Sequence, residues 1–338
     1  MLDVSGGCAL AREISLITAG RMPAVPGKGG VWVALSDVVN EQLRQFVLES
    51  SFASRGAVVT DLDGTAVHEF QGRIVIPEPV EFGLKHLSDL GRPLILNSLR
   101  FPLSVLRTFG REWYAVANTP VPTVTLNGSL LGYVTKSDQD ELGFEEIAAF
   151  PLSAEEIDDA LKGVEALVAG GIKDVLVFYY PRDWRIGEVI WTPVPEKVIP
   201  VKEKYTSASS VTAVEFQKLR EQMLSEDICM IFLLIDVAED QLMAYQHTKR
   251  NNFFTSKGVD KLFGAQKMAE ALSVDLGHSL GAGDTELDRF LDGVGLAVLV
   301  GNGNLEFRGK FQTIKIRDSF ELGELLFRAA ELQREISR

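Results

Sequence analysis

The chain of 338 residues is poor in cysteine, in histidine and, relative to its acids, in basic side chains. Its two cysteines, Cys8 and Cys229, have no paired spacing, which argues against a disulfide framework or a thiolate metal site. His68, His86 and His247 are scattered, with no pairing of the H-E-x-x-H kind, so each reads as a surface or loop residue. Against 47 acidic residues stand 34 basic ones, and the net charge of −13 disfavours nucleic acid or an anionic membrane as a partner. An anionic substrate would have to be met by local basic residues or by a metal. Long apolar runs are also missing. The longest, Ile228 to Ile235, stops at Asp236 and is too short to span a bilayer. The amino terminus lacks a basic region followed by an apolar core, so no secretory signal and a cytoplasmic, reducing location are expected.

What is present is ample core material, 46% hydrophobic residues, on a chain long enough for two domains. Residues 1 to about 55 form an extension with a strand-like Ile14–Thr18, a Gly/Pro-rich loop, Val31–Leu35 and a helical stretch from Asn40 to Ser50. The loop Pro26-Gly27-Lys28-Gly29-Gly30 lacks the G-x-x-x-x-G-K-[ST] spacing, so it reads as an ordinary loop rather than a phosphate cradle.

The sequence is organised around Ala57-Val58-Val59-Thr60-Asp61-Leu62-Asp63-Gly64-Thr65. An apolar run, read as a buried strand, delivers two carboxylates one residue apart. Asp61 and Asp63 would share a face if the strand continued. Gly64 allows a sharp turn and close approach of a ligand to the backbone. Paired carboxylates at a strand's carboxyl end suit a divalent cation and work on a phosphoryl group. Alone, the pair is a strand ending in an acidic turn.

Glu78 to Leu90 then reads as an amphipathic helix, and Leu94–Leu96 as a second buried strand closing on Asn97-Ser98-Leu99-Arg100. Strand, helix, strand implies a parallel pair with ligands beyond the carboxyl ends, which brings Ser98 to the edge of Asp61 and Asp63. From Pro120 the character changes. A hairpin around Asn127-Gly128, capping boxes at Ser153–Glu156 and Thr212–Glu215, and strands at Asp174–Tyr180, Val189–Trp191 and Ile228–Ile235 mark residues 120–249 as a separate α+β unit. The first pattern resumes with Lys257-Gly258 opening a helix to about Leu272 and a short strand, Leu276–Leu280. Gly281-Ala-Gly283-Asp284-Thr-Glu-Leu-Asp288, strands Val294–Val300 and Thr313–Arg317, and a helix capped by Asp318–Glu321 complete it.

Asp61/Asp63, Ser98, Lys257 and Asp284/Asp288 thus fall, in order, at strand ends or helix starts of one α/β unit. Together they resemble the four motifs of the haloacid dehalogenase superfamily of phosphohydrolases: D-x-D-G-T, a strand-end hydroxyl, a lysine and G-D-x-x-x-D. The resemblance covers roughly 56–338. It implies a Rossmann-like doubly wound parallel sheet, 56–119 with 250–338, carrying an inserted α+β cap at 120–249. A cap placed between the hydroxyl and lysine motifs is similar to class IIB members. These include Cof-type hydrolases, sucrose-, trehalose- and mannosyl-phosphoglycerate phosphatases, and phosphomannomutase.

By resemblance, Asp61 is the nucleophile and Asp63 the general acid–base. Mg²⁺ is held by the Asp61 carboxylate, the Asp63 carbonyl and Asp284, with Asp288 orienting the metal or its water. Ser98 and Lys257 hold phosphoryl oxygens. Gly64 leaves room at the substrate, and Thr65 and Asn302 either brace loops or touch it. Departures are Leu99 where a glycine is usual, and Thr285 and Leu287 where asparagine often stands. The reading that follows is a cytoplasmic Mg²⁺-dependent phosphatase acting on a small phosphorylated metabolite, a sugar phosphate or phosphorylated glycoside by resemblance. A phosphomutase and a catalytically silent binding protein of the same fold are the alternatives.

Two competing signals are set aside. Gly277-His-Ser-Leu-Gly281 matches the serine-hydrolase elbow, but no histidine follows His278 to complete a triad. Arg182, Arg185, Lys202 and Lys204 either steer an anionic substrate or form a solvated face.

Overall fold

The computed structural model describes residues 34–235 and 253–336. The expected strand Ile14–Thr18, the Gly/Pro-rich loop, Val31–Val33, Cys8, His247 and the hinge residues Lys249 and Arg250 lie outside the described residues. Helix α1, Asp37–Glu49, begins on Ser36, whose hydroxyl accepts from the Val39 amide. It lies against the last strand and the last helix of the main sheet. The later part of the expected extension therefore belongs to the core layer.

Strand β1 (Val58–Thr60) is buried throughout, as a strand in the middle of a parallel sheet must be. A small hairpin, β2 (His68–Phe70) with β3 (Arg73–Val75), and helix α2 (Glu78–Asp89) lead to β4 (Leu94–Asn97). Then come β5 (Val121–Thr125), β6 (Leu130–Lys136) and β7 (Leu142–Ala149). Near the chain's end lie β13 (Leu280–Gly283), β14 (Leu296–Val300) and β15 (Gln312–Ile316). These eight strands form one sheet in the order β15-β14-β13-β1-β4-β5-β6-β7. The six from β15 to β5 are parallel, and β6 and β7 extend them antiparallel. Strand order reverses at β1, with β4 on one side and β13 on the other. That makes its carboxyl end the place where a doubly wound sheet opens a crevice.

The hairpin expected at Asn127-Gly128 forms, but in the main sheet rather than in the inserted unit. Its turn runs through three successive left-handed residues, Leu126, Asn127 and Gly128. The boundary expected at 120 therefore falls near 150. The reason is that β5 buries every residue and continues the parallel pairing of β4, which a sequence change at Pro120 does not report.

The inserted unit has a sheet of its own, built from β8 (Val175–Pro181), β9 (Glu188–Trp191), β10 (Ala208–Thr212), β11 (Ile228–Ile235) and β12 (Phe253–Phe254). Their order is β10-β9-β8-β11-β12. Alternation along β8 divides its burial. Val175, Val177 and Tyr179 pack with Leu161 and Val164 of helix α3 (Ala154–Ala169) and Leu219 of helix α4 (Phe216–Leu224). Leu176, Phe178 and Tyr180 join the main core instead, and Tyr180 meets Phe101 ring to ring at 5.5 Å. Cys229 lies in this same layer as a buried free thiol, its pKa pushed up to about 12 by burial. Two more helices close the main unit, α5 (Lys261–Leu272) and α6 (Ser319–Ile336). The capping box expected at Ser153 is present, whereas that expected at Thr212 is not, because Thr212 ends β10 and α4 starts at Phe216. No helix among the described residues is long and apolar enough to cross a membrane.

Glu156 joins the two units. Its carboxylate accepts from Ser153 N and Lys257 N, each at 2.7 Å, and from Ser256 Oγ at 3.3 Å. Burial pushes this carboxyl upward, but the backbone amides of Ser153 and Lys257 and the two serine hydroxyls outweigh it and hold it below its ordinary value. A depressed folded pKa favours folding above the ordinary glutamate value of about 4.3. That contribution is lost as pH falls through the lower folded value. Scanning calorimetry between about pH 5 and pH 3 should therefore show the thermal midpoint falling more steeply in wild type than in Glu156→Gln. Parallel curves would show that this contact carries no acid sensitivity.

Candidate active site

The register of three strands brings the acidic residues together. Thr60 lies beside Leu96 of β4 and Ala282 of β13, and Asp61 N donates to Ala282 O at 3.0 Å. Asp61, Ser98 and Asp284 thus leave neighbouring strands at the same edge. Carboxylate oxygens of Asp61, Asp284 and Asp288 lie within 4.8 Å of one another. Asp61 and Asp288 are buried.

Lys261 is the cation among them. Its side chain is 1% exposed, and its Nζ lies 2.9 Å from Asp61 Oδ1 and 2.7 Å from Asp288 Oδ1. Burial opposes its charge, but the Asp288 and Asp61 carboxylates outweigh that and raise its pKa. Asp61 is pushed well above the usual carboxylate range by burial. Lys261 opposes the rise, and Asp288, Asp284 and Asp63 add to it. Asp284 is brought to about 6, by burial and then by the charge of Asp288.

Lys257, assigned to the site on sequence, is exposed, and its backbone amide is bound to Glu156. The assignment is corrected to Lys261. The helix expected from Lys257 starts four residues later, at Lys261, and is capped by Asp260, whose carboxylate accepts from Phe263 N. The periodic signal for this was in the sequence. Lys261, Gly264, Ala265, Met268 and Ala269 share the buried face of α5, so a lysine stands where an apolar residue is due.

The other expected residues divide by role. Asp288 Oδ2 accepts from Asp284 N, Thr285 N and Thr285 Oγ1, so both of its oxygens are engaged and it braces the loop that presents Asp284. Thr65 Oγ1 donates to Asp284 Oδ1 at 2.8 Å, which makes it a brace as well. Gly64 has φ +80, and a Cβ there would stand 2.2 Å from Asp284 Oδ2. The space this glycine leaves is taken by a carboxylate of the protein. Ser98 is buried, and its Oγ accepts from Arg100 N at 3.2 Å. Asn302 is exposed in the loop after β14, one strand beyond β13.

Asp63 is gripped by a residue not singled out as a site member. Arg100 Nε and Nη2 each lie 2.7 Å from one of its oxygens, and the guanidinium also reaches Ser104 Oγ and stacks over Phe109. Arg100 follows Ser98 by two residues. Its pairing could not be read from sequence, since Asp63 lies 37 positions away. The G-x-S-x-G match is structural: Ser279 bonds Ala57 N and Asp275 O at the amino end of β13, the opposite edge of the sheet. Arg182 pairs with Glu146 and Asp227, and Arg185 lies over Trp184, so these two meet neighbours of their own.

A doubly wound sheet with an acidic cluster at its switch point, interrupted by an inserted α+β unit, defines the class of architecture. The chain has the fold of the haloacid dehalogenase superfamily. A phosphatase of that superfamily from Bacteroides thetaiotaomicron superposes with a TM-score of 0.56, at 15% identity, over 83% of this chain and 96% of its own. A subclass IIB sugar phosphatase of the superfamily gives 0.54, at 15% identity, over 83% and 99%. A haloacid dehalogenase-like hydrolase from B. subtilis gives 0.52, at 16% identity, over 82% and 99%. No family model matches the chain, and no curated protein does.

Removing Lys261 would leave Asp61 and Asp288 buried without their counter-ion. Lys261→Met should lower unfolding stability by about 3 kcal/mol in urea with chelator present. Lys257→Met, on the surface, should stay within about 0.5 kcal/mol of wild type. The reverse ranking would return the lysine role to Lys257.

Proposed function

We propose that the protein hydrolyses phosphomonoesters through an aspartyl-phosphate. The observation that supports this reading is the convergence of Asp61, Asp63, Ser98, Lys261 and Asp284 at one sheet edge in a chain with this fold. The residues present suit Mg²⁺. Asp61 and Asp284 offer hard oxygen ligands, and burial first and then the neighbouring acids raise their pKa, a strain that a divalent cation relieves. When bound, Mg²⁺ would polarise the phosphoryl group and offset its negative charge.

Asp61 attacks phosphorus, and a bond from its carboxylate oxygen forms as the bond to the leaving oxygen breaks. Asp63, entering the step protonated, gives that oxygen its proton; as the carboxylate it then takes one from the water that cleaves the aspartyl-phosphate, releasing inorganic phosphate. Arg100 fixes the Asp63 carboxylate in orientation through two hydrogen bonds. Ser98 and Lys261 hold the equatorial oxygens, where charge grows in the transition state. Asp288 and Thr65 keep Asp284 in place.

The inserted unit, about 150–254, acts as the cap that covers the site, excludes water and selects the leaving group. A sugar phosphate or phosphorylated glycoside is the substrate class, supported by the likeness to a subclass IIB sugar phosphatase. Net charge −13 is consistent with a small metabolite rather than nucleic acid as the partner.

Phosphate release from a generic aryl phosphate with Mg²⁺ tests the reading. Asp61→Asn should abolish turnover, and Lys261→Met should lower kcat by about 10²–10³-fold. Lys257→Met should leave it unchanged. Equal turnover by wild type and Asp61→Asn would remove Asp61 as the nucleophile. Isomerisation of a sugar monophosphate with little free phosphate would instead identify a mutase.

A further inference from the structure

Asn97 is the last residue of β4, immediately before Ser98, and has no exposed surface. Its Nδ2 donates to the main-chain carbonyl of Lys261 at 2.9 Å, across 164 positions of sequence. Among the described residues its Oδ1 has no hydrogen-bond partner. An apolar side chain would fill a buried strand end without leaving an acceptor unpaired. The amide is therefore explained by what it donates to rather than by packing.

The Lys261 carbonyl belongs to the first residue of α5. The bond ties the start of that helix to the strand that also presents Ser98. A second neighbour presses the same turn from β5. A Cβ on Gly264 would come within 2.5 Å of Val124 Cγ1, and one on Gly128 within 2.1 Å of the Asp260 carbonyl. The backbone contact with the β5 turn sets how close the helix comes. The Asn97 amide is directional, and it fixes where along β4 the helix begins. The Lys261 ammonium depends on that placement to meet both Asp61 and Asp288.

We infer that Asn97 is a positioning residue for Lys261: its amide anchors the first residue of α5 so that the ammonium stands between Asp61 and Asp288. Asn97 does not touch the reacting atoms. Its effect on turnover passes through Lys261 and rests on the phosphatase reading, whereas its effect on the placement of Lys261 does not.

The test has two arms, run below the thermal midpoint of every variant, with Asn97→Ala replacing Asn97→Leu if the latter does not fold. In the kinetic arm, Asn97→Leu should lower kcat on an aryl phosphate by about 10- to 100-fold with KM little changed, as expected for a displaced charged group. In the Lys261→Met background the same substitution should change kcat by less than about two-fold, because the two residues act as one unit. An equal fall in both backgrounds would overturn the inference.

In the second arm, metal-free protein is acylated with acetic anhydride and read by peptide mass spectrometry. Lys261 should be protected in wild type and should react at least about ten-fold faster in Asn97→Leu, as expected when a local closed state is lost. Exposed Lys257 is the internal reference. Unchanged protection would overturn the inference. Absence of phosphate release by wild type would sink the phosphatase reading and leave this second arm to decide the role of Asn97.

Discussion

A buried ammonium between two buried carboxylates is the constraint on which the rest of this structure depends. Lys261 is removed from water, and so are Asp61 and Asp288. Ions in such a place must be paired and hydrogen-bonded, since each loses its hydration. The loops around them follow from that need. Asp288 spends its second oxygen on the amides of Asp284 and Thr285, and Asn97 holds the carbonyl of the residue that carries the ammonium. Burial, and after it the charge of their acidic neighbours, leaves Asp284 and Asp61 with raised pKa values, and their oxygens share one small space. A site built in this way is short of positive charge, which is the condition in which a cation is welcome.

The main sheet supplies the rigidity that this network requires. Strands β1, β4 and β13 are buried on both faces, and their register sets three chain exits side by side. Strands fix such exits better than loops would, because every residue of β1 is bound into the ladder on two sides. The hairpin β6–β7 extends the sheet beyond β5 and carries Glu146, which meets Arg182 of the inserted unit. The inserted sheet in turn shows one face to its helices and the other to the main core. Phe101 packs on Tyr180 between the two units, and it directly follows the arginine that grips Asp63. Contact between the units therefore reaches the site's own neighbours in sequence.

Much of this is legible in the sequence. The apolar runs at Val58, Leu94, Ile228 and Leu296 are strands, and the capping box at Ser153 and the cap at Asp318 start helices where they should. Asp61, Asp284 and Asp288 meet as their positions at strand ends imply, because a parallel sheet sends all carboxyl ends to one edge. Errors came where a local signal competed with a longer-range one. Ser256-Lys257-Gly258 looks like a motif, while the periodicity that marks Lys261 runs over nine residues of helix. Pro120-Val121-Pro122 looks like a boundary, yet the chain continues the sheet because Thr123 and Val124 pair with Leu96 and Asn97.

By itself the sequence determined the class of fold and the chemistry at the strand ends, because alternation, capping and carboxylate spacing are local properties of the chain. Only the tertiary structure decided which lysine serves the acids, that Arg100 holds Asp63, and that Gly64 and Thr65 answer to Asp284. Those pairings join residues from 27 to more than 200 positions apart, and no local pattern carries them. They exist because buried charges and buried donors must find partners, and folding alone brings the partners within reach.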